Sequence, residues 1–317
     1  MLLGDDFLLN TEWARKLYHC HAEKMPIIDY HCHLVPAEIY ENKSYENLAQ
    51  VWLYDNGFKV LPTFRPDGLM NISAAGFADY CDKLCEVSGT EVTDWESLKA
   101  AARQRLDYFH EVGGRLADHG MNSFVFCPAT DEQVDEIVCR ALNEEGCSAS
   151  EAAAYQTALT LFLMGEYECR GWTLQLHMNC FRNDSSKNFE KLGVDAGFDT
   201  VGDQPDMVYQ IKCLLDAAEQ ADGLPKCILY SLNDADWLGL ASLAGTFQCS
   251  PAKPKIQFGN AWWFNDTFSG MKKQITTFAE QGLLGNITGA APAPTSAPSR
   301  RRRSTPPRRS STCSSTA

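Results

Sequence analysis

The stretch Pro26-Ile27-Ile28-Asp29-Tyr30-His31-Cys32-His33-Leu34 decides the fold. A short apolar run of strand length ends here in two histidines one residue apart. On a strand, residues i and i+2 face the same side. His31 and His33 can therefore reach one metal ion, while Cys32 points into packing. Two imidazole nitrogens at the end of a first strand suit zinc or another borderline divalent ion. Asp29 shares their parity and can support a ligand by a hydrogen bond. A pair of hydrogen-bonded core histidines is the plainer alternative, but the HxH spacing directly after an apolar run favours the metal.

Outward from this stretch, apolar runs of strand length recur at 58–61, 123–127, 174–178, 227–232 and 255–258, making six with 27–30. Helix-like stretches alternate with them at 11–24, 94–112, 131–143, 150–170, 205–222 and 267–281. Thr11 reads as a cap for the first, and Thr93-Asp94-Trp95-Glu96 as a capping pattern for the second. Strands alternating with helices argue for α/β architecture around a parallel sheet. No GxGxxG or GxxxxGK[ST] motif follows any strand, so nucleotide binding has no support. In parallel α/β folds functional side chains collect at the C-terminal ends of strands. Those ends here are rich in His, Arg, Asn and Asp, which favours an enzyme over a scaffold.

The chain has 317 residues, 44% hydrophobic and 22% charged, as in soluble globular proteins. Its net charge of −13 is unevenly spread. Arg300, Arg301, Arg302, Arg303, Arg308 and Arg309 all follow the last acid, Glu280, so the body is more acidic still. Such a body repels nucleic acid and anionic membranes. No apolar run reaches the ~18 residues of a membrane helix, and the N-terminus has no basic segment of a signal peptide. Thirteen scattered cysteines, odd in number, read as reduced thiols in a cytoplasmic protein.

Other site candidates each carry two readings. Arg65, in Leu61-Pro62-Thr63-Phe64-Arg65-Pro66-Asp67, can grip a carboxylate bidentately or form a salt bridge to Asp67 or Asp118. Asp118-His119-Gly120 reads first as a tight turn before the 123–127 run. His177 ends a strand with Arg182 five residues on, a plausible ligand-binding pair, although a lone histidine there is more often structural. Trp262, in Trp262-Trp263-Phe264-Asn265-Asp266, can wall a sugar site, although such aromatics more often fill cores.

Taken together these residues resemble uronate isomerase (glucuronate isomerase), a divergent family of the amidohydrolase superfamily. The resemblance runs through Asp29-Tyr30-His31-Cys32-His33-Leu34, Lys59-Val60-Leu61-Pro62-Thr63-Phe64-Arg65-Pro66-Asp67, Asp118-His119, His177 with Arg182-Asn183, and Gln257-Phe258-Gly259-Asn260-Ala261-Trp262-Trp263-Phe264-Asn265-Asp266. It covers nearly all of residues 5–285. It implies a distorted (β/α)8 TIM-like barrel with a divalent metal, usually zinc, held by His31 and His33. It implies reversible aldose–ketose isomerisation of D-glucuronate to D-fructuronate, and of D-galacturonate to D-tagaturonate, through an enediol. Asp118 and His177 are then catalytic, and Arg65, Arg182 and Trp262 bind the uronate sugar. The partners implied are small uronates, with no nucleic acid and no membrane; homo-oligomerisation is left open. A metal-dependent hydrolase of the same superfamily, or an inactive remnant, is the alternative.

The chain departs from the family twice. Leu53-Tyr54-Asp55-Asn56 runs almost directly into the second strand, where family members carry a long insert. After Gly285 the eighth strand and its metal-binding aspartate are replaced by an Ala/Pro/Ser/Thr/Arg mixture typical of GC-rich DNA read out of frame. Residues 1–285 are therefore expected to form an incomplete barrel and residues 286–317 a disordered tail that adds no strand.

Overall fold

The computed structural model describes residues 6, 9, 11–25, 28–32, 59–194, 196–249, 254–283 and 310–316, with backbone alone for 28–32, 59–60 and 310–316. Helix α1 (Glu12–Cys20) is capped by Thr11, whose hydroxyl accepts the Ala14 N–H at 3.0 Å. Strands β1 (Ile28–Cys32) and β2 (Lys59–Arg65) follow, then α2 (Phe77–Ser88) and α3 (Trp95–Glu111). Next come β3 (Leu116–Met121), α4 (Asp131–Leu142), α5 (Ala149–Cys169) and β4 (Thr173–Met178). An excursion carries β5 (Cys180–Phe181), α6 (Ser186–Leu192) and β6 (Thr200–Val201). The chain then forms α7 (Met207–Gln220), β7 (Lys226–Ser231), α8 (Trp237–Thr246), β8 (Ile256–Phe258), α9 (Phe268–Gln281) and β9 (Ser310–Thr316).

Seven strands form one sheet in the order β1-β9-β2-β3-β4-β7-β8, and every ladder in it is parallel. Among the described residues no ladder joins β8 back to β1, so the barrel is open. Three helices start on reciprocal caps that the sequence encodes locally: Asp94 with Ser97, Thr130 with Gln133, and Ser148 with Glu151. Helix α5 meets the sheet through Tyr167, whose ring contacts Phe64 and His119, and buries Tyr155 against Phe77 and Trp95 of α2 and α3. The cysteines whose side chains are described are free thiols, and burial pushes Cys81 up to about 12. No helix among the described residues is long and apolar enough to cross a membrane.

Two expectations need correction. The third strand is Leu116–Met121, not 123–127. Residues 124–127 are held by side chains without a ladder. Gln204 accepts the Phe124 N–H and donates to its carbonyl, Gln210 accepts the Phe126 N–H, and the Thr157 hydroxyl accepts the Cys127 N–H. Side chains here do the work of a neighbouring strand. Asp118 consequently lies inside a strand, not in a turn.

The second correction concerns the tail. Its end forms β9, which pairs along all of β2, from Lys59↔Ser310 to Arg65↔Thr316. A ladder needs backbone N–H and C=O groups, and a Ser/Thr run without Pro or Gly supplies them without apolar periodicity. The slot it fills lies between β1 and β2, where the chain runs short between the first two strands. Residues 284–309 of the tail lie outside the described set.

Strand β3 is tied to α5 behind the sheet. His119, 1% exposed, hydrogen-bonds the Tyr167 hydroxyl through Nε2 at 2.8 Å, and burial pulls its pKa down to about 4. The imidazole is neutral in the fold, whereas the unfolded chain protonates it below about 6.5. Stability should thus be complete above pH 6.5 and decline by about 1.4 kcal/mol per pH unit towards pH 4 from this group alone. Urea unfolding of the wild type and His119→Asn between pH 4 and 7 should show the extra slope only in the wild type; parallel profiles would count against a buried neutral His119.

Candidate active site

Parallel register sets the site. Asp118 lies opposite Gln175, Gly120 opposite His177, and His177 opposite Tyr230. Alternation then divides β3: His119 turns back to α5, while Asp118 faces the other side with Arg65 and His177.

Asp118 is fully buried and, among the described residues, binds Arg65 and His177. Arg65 Nη1 donates to its Oδ2 at 3.1 Å, and His177 Nδ1–H donates to its Oδ1 at 2.7 Å. Arg65 Nε also donates to Asp67 Oδ2 at 2.8 Å. Asp67 in turn accepts the Gly120 N–H at 3.2 Å. A Cβ on Gly120 would stand 3.1 Å from Arg65 Nη2 and 3.3 Å from Asp67 Oδ2. Glycine at 120 thus leaves the guanidinium room to lie between the two acids.

Aromatic rings extend the cluster. His177 stacks on Tyr230 with centroids 4.5 Å apart and planes 3° from parallel, and Trp262 meets its edge at 4.7 Å. Trp263 adopts a left-handed φ of 49°, a conformation that strains a bulky residue. Its ring lies 5.8 Å from Trp262, stacks with Phe264 at 4.7 Å, and carries the Arg182 guanidinium 4.9 Å above it. Arg182 also donates to Asp199 Oδ2 at 2.9 Å.

Arg65, Asp118, His177 and Trp262 thus form one contiguous set, and Arg182 joins it through Trp263. For Arg65 the salt-bridge reading holds with both Asp67 and Asp118 at once. His33 and the side chain of His31 lie outside the described residues. Among those described, no group of three or more His, Cys, Asp or Glu is placed to hold a metal. Sequence reasoning passed over Tyr230 and Gln175. Their signal was register: both stand on strands already identified, in phase with His177.

Within this cluster the Trp262 indole Nε1–H and Gln175 Nε2 are buried donors without hydrogen-bond partners among the described residues. Such groups cost stability unless a ligand oxygen or water answers them. With a carboxylate-held imidazole and two arginines nearby, the cluster can move a proton and meet an anionic, oxygen-rich ligand.

A family model described as glucuronate isomerase matches residues 1–59 and 54–304. The two stretches meet at the short connection before β2, and the second runs past residue 285. The uronate isomerase of Bacillus licheniformis is 32% identical over 404 positions, covering 90% of this chain and 85% of that protein. That of Latilactobacillus sakei is 32% identical over 410, covering 91% and 87%. Alignments this long against 317 residues mean that the relatives carry segments this chain lacks. A uronate isomerase structure from Thermotoga maritima superposes with a TM-score of 0.66 at 24% identity, over 74% of this chain and 50% of that one. A glucuronate isomerase structure from Caulobacter crescentus gives 0.66 at 21%, over 91% and 57%. The chain therefore spans little more than half of these solved proteins, and the superpositions establish the barrel fold.

Removing one partner of a buried charge pair leaves the other uncompensated. Asp118→Ala should destabilise the fold by about 3–5 kcal/mol, measured by urea unfolding at pH 7. Unchanged stability would show that Arg65 and His177 do not depend on this carboxylate.

Proposed function

Because the chain belongs to the glucuronate isomerase family, we propose that its site is built for aldose–ketose isomerisation of hexuronates, D-glucuronate to D-fructuronate and D-galacturonate to D-tagaturonate. The observation that carries this reading is the Asp118–His177 pair beside the two unanswered donors. The reaction moves a proton from C2 to C1 through an enediol, which requires a group that takes the proton and returns it. His177 is that group. Asp118 commits Nδ1 as the N–H and steadies positive charge on the ring, so proton transfer falls to Nε2. The Trp262 indole and Gln175 amide offer hydrogen bonds to the substrate's oxygens.

The sugar's carboxylate calls for an arginine. Arg65 and Arg182 both serve the substrate in this reading. Arg65 reaches the site from β2 beside Asp118, and Arg182 reaches it over the Trp263 ring, so both lie where a sugar carboxylate can be met. Arg65 sets the charge and direction of Asp118 from the same side.

The donor chemistry fits a divalent metal, zinc first. Strand β1 runs parallel to its neighbours, so His31 stands towards the same end of the sheet as Arg65 and His177. His31 and His33 would hold the ion, which would polarise substrate oxygens without activating a hydrolytic water. A cytoplasmic location, with uronates rather than nucleic acid or membrane as partners, fits the free thiols and the acidic body; light scattering would report any homo-oligomer.

The test follows conversion of D-glucuronate by the chain as it stands and by a version with the family's middle segment and eighth strand restored. The restored chain should convert it and the present chain should do so little or not at all. In the restored chain His177→Asn should lower kcat by about 10²–10⁴. Arg182→Met should cost about 1.5–3 kcal/mol in kcat/KM. A restored chain without conversion would overturn the isomerase reading, and equal turnover by both chains would show the missing segments to be dispensable.

A further inference from the structure

We propose that Tyr230 is a positioning residue for His177, and that Gly259 exists to seat it. The proposal deepens the reading of His177 as the proton-transferring group and rests on it for its catalytic meaning.

Tyr230 and His177 occupy paired positions on β7 and β4, so their side chains rise side by side from one face of the sheet. The rings lie 4.5 Å apart and 3° from parallel. Tyr230 is 4% exposed and is held at its far end as well, where its hydroxyl donates to Gln175 Oε1 at 3.3 Å. Beside it runs the backbone of Gly259. A Cβ at 259 would stand 2.4 Å from Tyr230 Cδ1 and 2.6 Å from Cε1, closer than any real side chain approaches. Gly259 is therefore required for space. Its backbone is pinned in turn, since its N–H donates to the Leu229 carbonyl at 2.8 Å and its own carbonyl accepts from Gln274 Nε2.

An imidazole held by one hydrogen bond can still turn about its Cα–Cβ and Cβ–Cγ bonds and present its other nitrogen to the acid. Each orientation has its own tautomer. At His177 the Asp118 bond at 2.7 Å fixes one ring atom, the Tyr230 face fixes the ring plane, and the Trp262 edge at 4.7 Å closes the remaining side. Orientation and tautomer are thus set before a substrate arrives. A pre-set general base loses less to reorganisation than one that must turn into place.

The experiment reads the ring directly in the 317-residue chain, using histidine labelled with 15N and 13C. In the wild type, His177 should show one tautomer, Nδ1–H, and upfield ring-current shifts of its carbon-bound protons. Tyr230→Leu should abolish the upfield shift and mix the tautomers, and Gly259→Ala should reproduce both changes by displacing the ring. Tyr230→Phe keeps the stack and should restore the wild-type pattern. Signals of the other histidines report whether each variant folds. A folded Tyr230→Leu with unchanged His177 signals would overturn the proposal. So would a Tyr230→Phe that behaves like Tyr230→Leu, because the hydroxyl and not the stack would then be decisive. These signals do not require turnover. A chain that isomerises no uronate would count against the proposed reaction and leave the positioning result standing.

Discussion

A single carboxylate organises the candidate site. Asp118 has no access to solvent, so its charge must be answered by protein groups. Arg65 answers it from β2 and His177 from β4, and each bond fixes a side chain on a neighbouring strand. The glycine two residues on gives the guanidinium its space, and Asp67 accepts from Arg65 Nε. Three adjacent strands are thus tied at one end by charge-assisted hydrogen bonds. Behind them the same strand is tied to α5 by His119 and Tyr167. Structural and chemical constraints meet in one short segment, Asp118-His119-Gly120.

The order of strands explains why this segment matters. β3 and β4 pair over six residues and β4 and β7 over six more, so the register there is firmly set. By contrast β2 meets β3 at a single pair, Phe64↔Ala117. The Arg65–Asp118 ion pair spans that short ladder. It joins the half of the sheet that carries His177 to the half that carries His31.

Much of the fold was legible because caps and apolar periods are local. The start of α3 lies one residue beyond the cap read at Thr93, because Asp94 and Ser97 close the box in place of Thr93 and Glu96, and β4 follows the 174–178 run. The error at 123–127 arose because an apolar run of strand length is the same pattern whether its amides meet a strand or distant glutamines. Gln204 and Gln210 lie about 80 residues away in sequence, beyond any local rule. The mistake carried Asp118 with it, since a residue placed before a strand reads as a turn. Ser310–Thr316 was missed for the opposite reason: its strand depends on a vacancy elsewhere in the sheet, which composition does not reveal. At the site, His177 and Trp262 stood out by residue type, whereas Tyr230 could be found only through register.

The substitution of glutamine side chains for a ladder at 124–127 has a consequence for exchange with solvent. Amides in a sheet open when their neighbouring strand moves. Those of Phe124 and Phe126 are governed instead by Gln204, just ahead of α7, and by Gln210 within it. Their exposure therefore follows the motion of a helix remote in sequence. The loop after the strand of Asp118 is in effect a latch worked from α7, able to loosen there without disturbing any pairing in the sheet.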